Sequence, residues 1–236
     1  MIYFIIILKS ESGDNMRNIF IACRMLEDEM KRIMDENNID VPIIWLDEGY
    51  HSTPDRLREK LQEIISGLEE VDNIILVYGY CGNALLGLQA TTGNLIFPKV
   101  DDCIAMLLKS ERLKGAYYLT KRWIESPSSI FNEYKIVLER YGENKVKKLY
   151  RMMLKNYSKF RLLETGTYDV EKYAAEIRDF AEKMGLDVDK EEGDLSFLKK
   201  IFTGPYDEGD FAIIKKGERV DLSHIINLNE RKAINF

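Results

Sequence analysis

The chain has 236 residues, 45% hydrophobic and 31% charged, with a formal net charge of −6. That length accommodates one large α/β domain or two small ones, and the acidic balance excludes a general phosphate-backbone binder, which needs a basic surplus to displace counterions. Cysteines number three, an odd count, which points away from a disulfide framework and toward free thiols in a reducing, cytoplasmic compartment.

The opening run MIYFIIIL is eight residues long, far short of the ~20 that a bilayer requires. It lacks a basic flank and a small-residue cleavage site, so it reads poorly as a secretory signal. The polar SESGDN then precedes Met16, where a clean strand pattern starts. Met16 is the expected start, with residues 1–15 an upstream extension whose Gly13-Asp14 codons suit a purine-rich ribosome-binding run. An extra strand or a membrane-touching tail is the alternative.

From Met16 the chain alternates strands and helices. NIFIAC (18–23) is an apolar strand, followed by a helix whose Met25, Leu26, Met30, Ile33 and Met34 fall on one face. VPIIWLDEGYH (41–51) is a second strand and its exit turn. TPDRLREKLQEIISGLEE carries a helix start, with Thr53 at the cap and Pro54 at the first helical position. NIILVYGYC (73–81) is so uniformly apolar that it belongs at the centre of a sheet, covered on both faces. A helix is expected from about Asn83. NLIFPKV (94–100) is a fourth strand, DDCIAMLLKSER a helix capped by Asp101 or Asp102, and GAYYLT (115–120) a fifth strand.

The remainder repeats the style more loosely. SPSSIFNEYKIVLERYG and NKVKKLYRMMLKNYSKF are helices, FRLLET (160–165) a strand, and DVEKYAAEIRDFAEKMG an amphipathic helix closed by Gly185. LDVDKEE is a strand, LSFLKKIFTG a short helix and DFAIIKKGE (210–218) a last strand. The basic run 145–155 reads as a solvated helix face with its tyrosines and methionines packed inward. The alternation predicts an α/β, Rossmann-like fold with a mostly parallel sheet and helices on both faces. Residues 16–236 form one domain on this reading, or two lobes meeting near residue 125.

Each cysteine stands after a strand and before a helical pattern: Cys23 in IACRML, Cys81 in YGYCGNAL and Cys103 in DDCIAML. In a parallel sheet such junctions share the carboxyl edge, where open α/β folds bind ligands. His51, in the turn EGYHSTP, belongs to the same edge. Thiols at helix N-termini are expected to have lowered pKa values. Thiolates are soft ligands for zinc or iron–sulfur clusters, and imidazole suits zinc. Cys23, Cys81, Cys103 and His51 are therefore the candidate metal ligands, with Cys81 and His51 also the candidate catalytic pair. Gly79 and Gly82 allow the backbone to turn or approach a ligand, and Asn83 and Asp102 are candidate cofactor contacts beside them. No spacing motif such as CxxC supports the set, and the competing reading makes the cysteines small hydrophobes at apolar strand ends. YGYCGN is neither GxGxxG nor a Walker loop, so no nucleotide site is indicated.

The blocks IACRMLEDEM, LDEGYHSTPDRLREKLQ, YGYCGNALLGL, PKVDDCIAMLLKSER and YYLTKRWIE together resemble the domain-of-unknown-function 1638 family, over roughly residues 17–215. That family has cysteines at the positions matching Cys23, Cys81 and Cys103 and a histidine at that of His51, which implies a shared site. This chain departs from it at Ala84, where glycine is usual, at Asp101-Asp102, where His-Asp is common, and at Lys121-Arg122, which replaces Pro-Gly. Members resemble neighbours of corrinoid-dependent methyltransferase systems in anaerobes and methanogens. The resemblance thus implies methyl transfer or cofactor handling, with a corrinoid protein or methyltransferase as partner and a small-molecule ligand. Three readings follow: a zinc or iron–sulfur enzyme, a transferase or lyase, of one-carbon metabolism; a metal-free Cys/His thiol enzyme; and a non-catalytic accessory or binding protein. No nucleic acid or membrane partner is expected.

Overall fold

The computed structural model describes residues 17–225, apart from the side chains of His51 and Ser52. The expectations for residues 1–15 and for Met16 lie outside these. The chain divides into two compact units. The first includes residues 33–103 and the chain from Leu198 onward, together with the segment that ends at Glu27; the second comprises Asp28–Arg32 and Ile104–Phe197. The chain passes between the units at 27/28, 32/33, 103/104 and 197/198.

The first unit is built on five strands: β1 (Asn18–Cys23), β2 (Ile43–Leu46), β3 (Asn73–Val77), β4 (Asn94–Pro98) and, late in the chain, β8 (Phe211–Ile214). Their order is β2-β1-β3-β4-β8. The first four run parallel, but β8 pairs antiparallel with β4. The sheet is thus mixed. β3 is buried at every position, as its uniform apolarity requires. Pro98 closes β4 at its end, where a missing N–H is tolerated.

Register is pinned at the amino edge by an asparagine ladder. Asn18, Asn73 and Asn94 are opposite one another. Asn73 Nδ2 donates to Asn18 Oδ1 at 2.9 Å and Asn94 Nδ2 to Asn73 Oδ1 at 3.0 Å. A one-residue slip would break both bonds and turn the apolar faces outward. The ladder thereby aligns the opposite, carboxyl ends of β1, β3 and β4.

Helix α1 (Glu27–Asn37) follows β1 after a 3₁₀ turn at Arg24–Leu26, and α2 (Pro54–Gly67) follows β2. Pro54 opens α2 and Leu57, Leu61, Ile64 and Ile65 are buried, although Thr53 makes no side-chain capping bond. The helix expected near Asn83 is absent, residues 81–87 forming a turn, and DDCIAMLLKSER yields only a 3₁₀ segment, Ile104–Leu107.

The second unit carries β5 (Ala116–Leu119), β6 (Lys159–Glu164) and β7 (Asp187–Glu192), all parallel. Its helices are α3 (Lys121–Glu125), α4 (Ile130–Tyr141), α5 (Glu143–Met153) and α6 (Val170–Met184). Asp169 caps α6 by accepting from the amides of Glu171 and Lys172, and Gly185 ends it at φ +76°. An aromatic core joins Phe131, Tyr134, Tyr150, Phe160 and Phe180, with Phe131 edge-on to Phe180 at 5.1 Å. On α5, Tyr150 packs inward, but Met152 and Met153 are exposed, against the inward packing expected of the methionines. The last described elements are α7 (Ser196–Thr203), β8 and α8 (Leu222–Ile225). No helix among the described residues is long and apolar enough to cross a membrane.

Candidate functional site

Parallel pairing brings the three cysteines to one edge of one sheet. Cys23 is the last residue of β1, paired with Leu46 at the end of β2. Cys81 lies four residues past the end of β3 and Cys103 five past the end of β4, and β1, β3 and β4 are consecutive neighbours. All three are free thiols; Cys23 and Cys103 are buried and Cys81 half-buried.

The loops after β3 and β4 are stitched together. The Tyr80 amide donates to the Val100 carbonyl at 2.8 Å and the Cys81 amide to the Asp101 carbonyl at 2.9 Å. Gly79 permits this approach, since a Cβ there would lie 2.5 Å from the Cα of Asp102. Cys81, Gly82 and Asn83 then take φ of +43°, +68° and +68° in succession. Asparagine and glycine tolerate this left-handed conformation, but for Cys81 it is strained, and such strain concentrates at functional sites. It also ends any helix before it begins, so Asn83 caps nothing.

Neither Cys23 nor Cys81 is activated by its position. Burial pushes Cys23 up to about 11, with the charges of Glu48 and Asp47 adding to it and a hydrogen bond from Met25 opposing it. Burial likewise pushes Cys81 up to about 12, reinforced by Cys23 and by Asp102. This reverses the lowered values expected at helix N-termini. The reason is structural: the segments after the cysteines are 3₁₀ turns or plain turns, with too few aligned amides to offset lost hydration.

Tyr78 is the residue that sequence reasoning missed. It follows β3 directly, is 2% exposed, and its hydroxyl has no hydrogen-bond partner among the described residues. Burial raises its pKa well above the usual phenol range, and Cys23, Cys81 and Cys103 each raise it further. One phenol therefore senses all three thiols. The available signal was the tyrosine itself, a hydroxyl appended to an otherwise wholly apolar strand.

His51 lies in the 3₁₀ turn Glu48–Ser52 that leaves β2, on the same edge, with its side chain outside the described set. Asp47 opens that turn by accepting from the Gly49 amide at 2.8 Å. Beside it is a cleft of about 240 Å³ lined by Asp47, Gly49, Tyr50 and Arg56. Among the described residues, no group of three or more His, Cys, Asp or Glu side chains is drawn together as a metal-holding cluster. Thiols are nonetheless donors of the kind that suits a soft cation, and three of them lie on this edge near the buried hydroxyl of Tyr78.

A family model for proteins of unknown function, DUF1638, matches residues 45–202, well over half of the chain. The chain belongs to the DUF1638 family. The DUF1638 match takes in His51, Cys81 and Cys103 and begins downstream of Cys23. No curated protein matches the chain, and no solved structure does.

Proposed function

We propose that the first unit is a thiolate metal-binding protein, holding a zinc ion or a four-iron, four-sulfur cluster on Cys23, Cys81 and Cys103 and leaving one position for a small-molecule ligand. The observation that supports this is the placement of three thiols at the carboxyl ends of three adjacent strands, near the buried hydroxyl of Tyr78, which has no hydrogen-bond partner among the described residues. Cys23 raises the proton affinity of Cys81, so the two are costly to ionise together, and a bound cation would reverse that sign. Metal uptake on this reading is coupled to closure of the cysteine loops, since coordination energy is available to order them.

A centre of this kind supplies Lewis acidity, lowering the pKa of a bound thiol or water. His51 is assigned as acid/base or as a further ligand, and Gly79, Gly82, Asn83 and Asp102 as the frame of the loop. A Rossmann-like placement of the ligand at the carboxyl edge belongs to the same proposal. So do a transferase or lyase activity in one-carbon or corrinoid-linked metabolism and a cytoplasmic setting, which rest on the family resemblance and on the free thiols. The metal-free thiol reading is less well supported, because burial holds Cys81 protonated at neutral pH.

The test is metal and acid-labile sulfide content, with an absorption spectrum, of protein purified without oxygen, for wild type and Cys81→Ser. About one zinc, or about four irons with sulfide and a broad band near ~400 nm, lost in the variant, is the expected result. Wild-type protein without metal that also fails to take up zinc or iron on reconstitution would overturn it.

A further inference from the structure

The second unit carries an exposed patch, apolar and basic together, that the proposed function leaves unused. Ile136 and Tyr141 in α4, Leu149, Met152 and Met153 in α5, and Tyr157 beyond it are all exposed. Among the described residues, the other large apolar side chains so exposed are Leu113, Ile213 and Leu222. Single exposed apolar residues are ordinary, whereas a cluster marks a surface that meets something. The same stretch is strongly basic: residues 145–155 hold five cations and no carboxylate, in a chain of net charge −6.

Helix geometry sets these residues side by side. Val146, Tyr150 and Leu154 are buried in the aromatic core at four-residue spacing. At 3.6 residues per turn, Lys145, Lys148, Leu149 and Met152 therefore share the opposite side of α5, flanked by Arg151 and Met153. Leu149 is 47% exposed, Met152 57% and Met153 54%. Cations elsewhere in the unit have carboxylates beside them: Lys159 and Arg161 meet Asp189, and Lys121 and Arg122 meet Asp28. By contrast, Lys145, Lys147, Lys148 and Lys155 have no ion-pair partner among the described residues.

We propose that the outer face of α5 seats on an anionic lipid surface, with Lys145, Lys148 and Lys155 among the headgroup phosphates and Leu149, Met152 and Met153 at the acyl boundary. The charges are complementary, and each cation beside an anionic bilayer strengthens binding about fivefold. Four of the five cations are lysines, which protein interfaces deplete and anionic headgroups attract. The strip is a convex ridge of long, flexible side chains, which adapt to a fluid surface while the ammonium groups stay in water. Tyr141 and Tyr157, exposed on either side of α5, are amphipathic in the manner of interfacial residues. A second copy of the chain fits poorly, since a twofold contact would bring the same cations face to face. Such a contact needs no spanning helix. It departs from the solvated face expected of this run because Met152 and Met153 are exposed rather than packed inward.

The experiment is flotation of the full-length protein with vesicles of phosphatidylglycerol and phosphatidylcholine in equal parts, and with phosphatidylcholine alone. Wild type is expected to float with the mixed vesicles only, and more weakly as salt rises from about 0.1 M to about 1 M. Lys145→Gln/Lys148→Gln is expected to bind roughly twentyfold more weakly, the effect of two cations. Leu149→Ser/Met152→Ser, with every charge intact, is expected to bind roughly tenfold more weakly. All four positions are exposed, so the thermal unfolding of both variants should match that of wild type. Leu222→Ser removes an exposed apolar residue outside the patch and should bind as wild type does. Failure of wild type to bind the mixed vesicles overturns the proposal and leaves the patch to an acidic protein surface. Equal binding by wild type and Leu149→Ser/Met152→Ser also overturns it, reducing the contact to unspecific attraction between opposite charges. So does a loss of binding in Leu222→Ser as large as in that variant.

Discussion

Gly79 and Asp102 meet backbone to backbone: a Cβ added to Gly79 would stand 2.5 Å from both the Cα and the amide nitrogen of Asp102. This contact fixes how closely the Cys81 loop lies against the Cys103 loop, and it leaves no flexible side chain to move aside. Gly79→Ala must push the two loops apart and strain the bonds from Tyr80 to Val100 and from Cys81 to Asp101. The expected cost is about 1–3 kcal/mol, the range of overpacking in a rigid core, accompanied by loss of metal uptake. Gly67→Ala is the control. That glycine ends α2 and has nothing within 4 Å of its added Cβ, so the variant should match or slightly exceed wild type in urea unfolding. Equal stability of the two variants would remove the loop contact from the account.

Much of this edge was legible in the sequence, and the illegible part has physical causes. NIILV and NIFIAC are apolar at every position after their leading asparagines, a pattern that suits a buried strand, so β1, β3 and the cysteines at or beyond their ends were readable. The segment ALLGL was misread because Ala84, Leu85 and Leu88 are fully buried at helical spacing. In the fold they pack beneath a turn whose left-handed residues, Cys81, Gly82 and Asn83, forbid a helix. Periodicity reports burial, and it cannot distinguish a buried turn from a short buried helix. The asparagine ladder escaped notice because Asn18, Asn73 and Asn94 are distant in sequence and each, alone, looks like a turn residue before a strand. Antiparallel β8 was equally out of reach, since strand direction is decided by the connection, and its connection from β4 passes through the whole second unit.

In the second unit the strongest ionic pairing lies across β6 and β7. Arg161 donates through Nε to Asp189 Oδ1 at 2.8 Å and through Nη2 to Oδ2 at 2.6 Å, while Lys159 reaches Oδ2 at 2.7 Å. The hydrogen bond from Arg161 is the main reason the Asp189 carboxyl lies below its usual value, with Lys159 assisting and partial burial opposing. A carboxyl whose folded pKa is depressed stabilises the fold above its unfolded value of 3.8, and that stability is lost as pH falls through the lower folded value. Asp189→Asn should therefore cost about 1 kcal/mol at pH 7, a figure kept small because the pair is partly solvated and screened. The cost should shrink toward zero as the pH falls below ~3.8, the unfolded carboxyl's value. Urea denaturation of both proteins at pH 3, 5 and 7 measures it, and a difference independent of pH would mean that the pairing contributes nothing.

Glu29 should behave in the opposite sense. The residue is 1% exposed; Oε1 accepts from Thr165 Oγ1 at 2.8 Å and Thr167 Oγ1 at 3.1 Å, and Oε2 has no partner among the described residues. Burial raises its pKa, the neighbouring Asp28 adds a little, and the two threonines oppose. The folded state thus holds this proton more tightly than the unfolded chain does, so stability declines as pH rises from the unfolded value of 4.5 through the folded one. Above that window the protein carries a constant penalty for a buried charge with an unsatisfied oxygen. Glu29→Gln keeps an acceptor for both threonines and removes the charge. It is expected to equal wild type near pH 4 and to exceed it by about 1–3 kcal/mol at pH 8, the usual cost of an unsatisfied buried polar atom. Thermal and urea unfolding at pH 4, 6 and 8 check the trend. A variant less stable than wild type at pH 8 would show instead that the ionised carboxylate of Glu29 is engaged by a group that binds there.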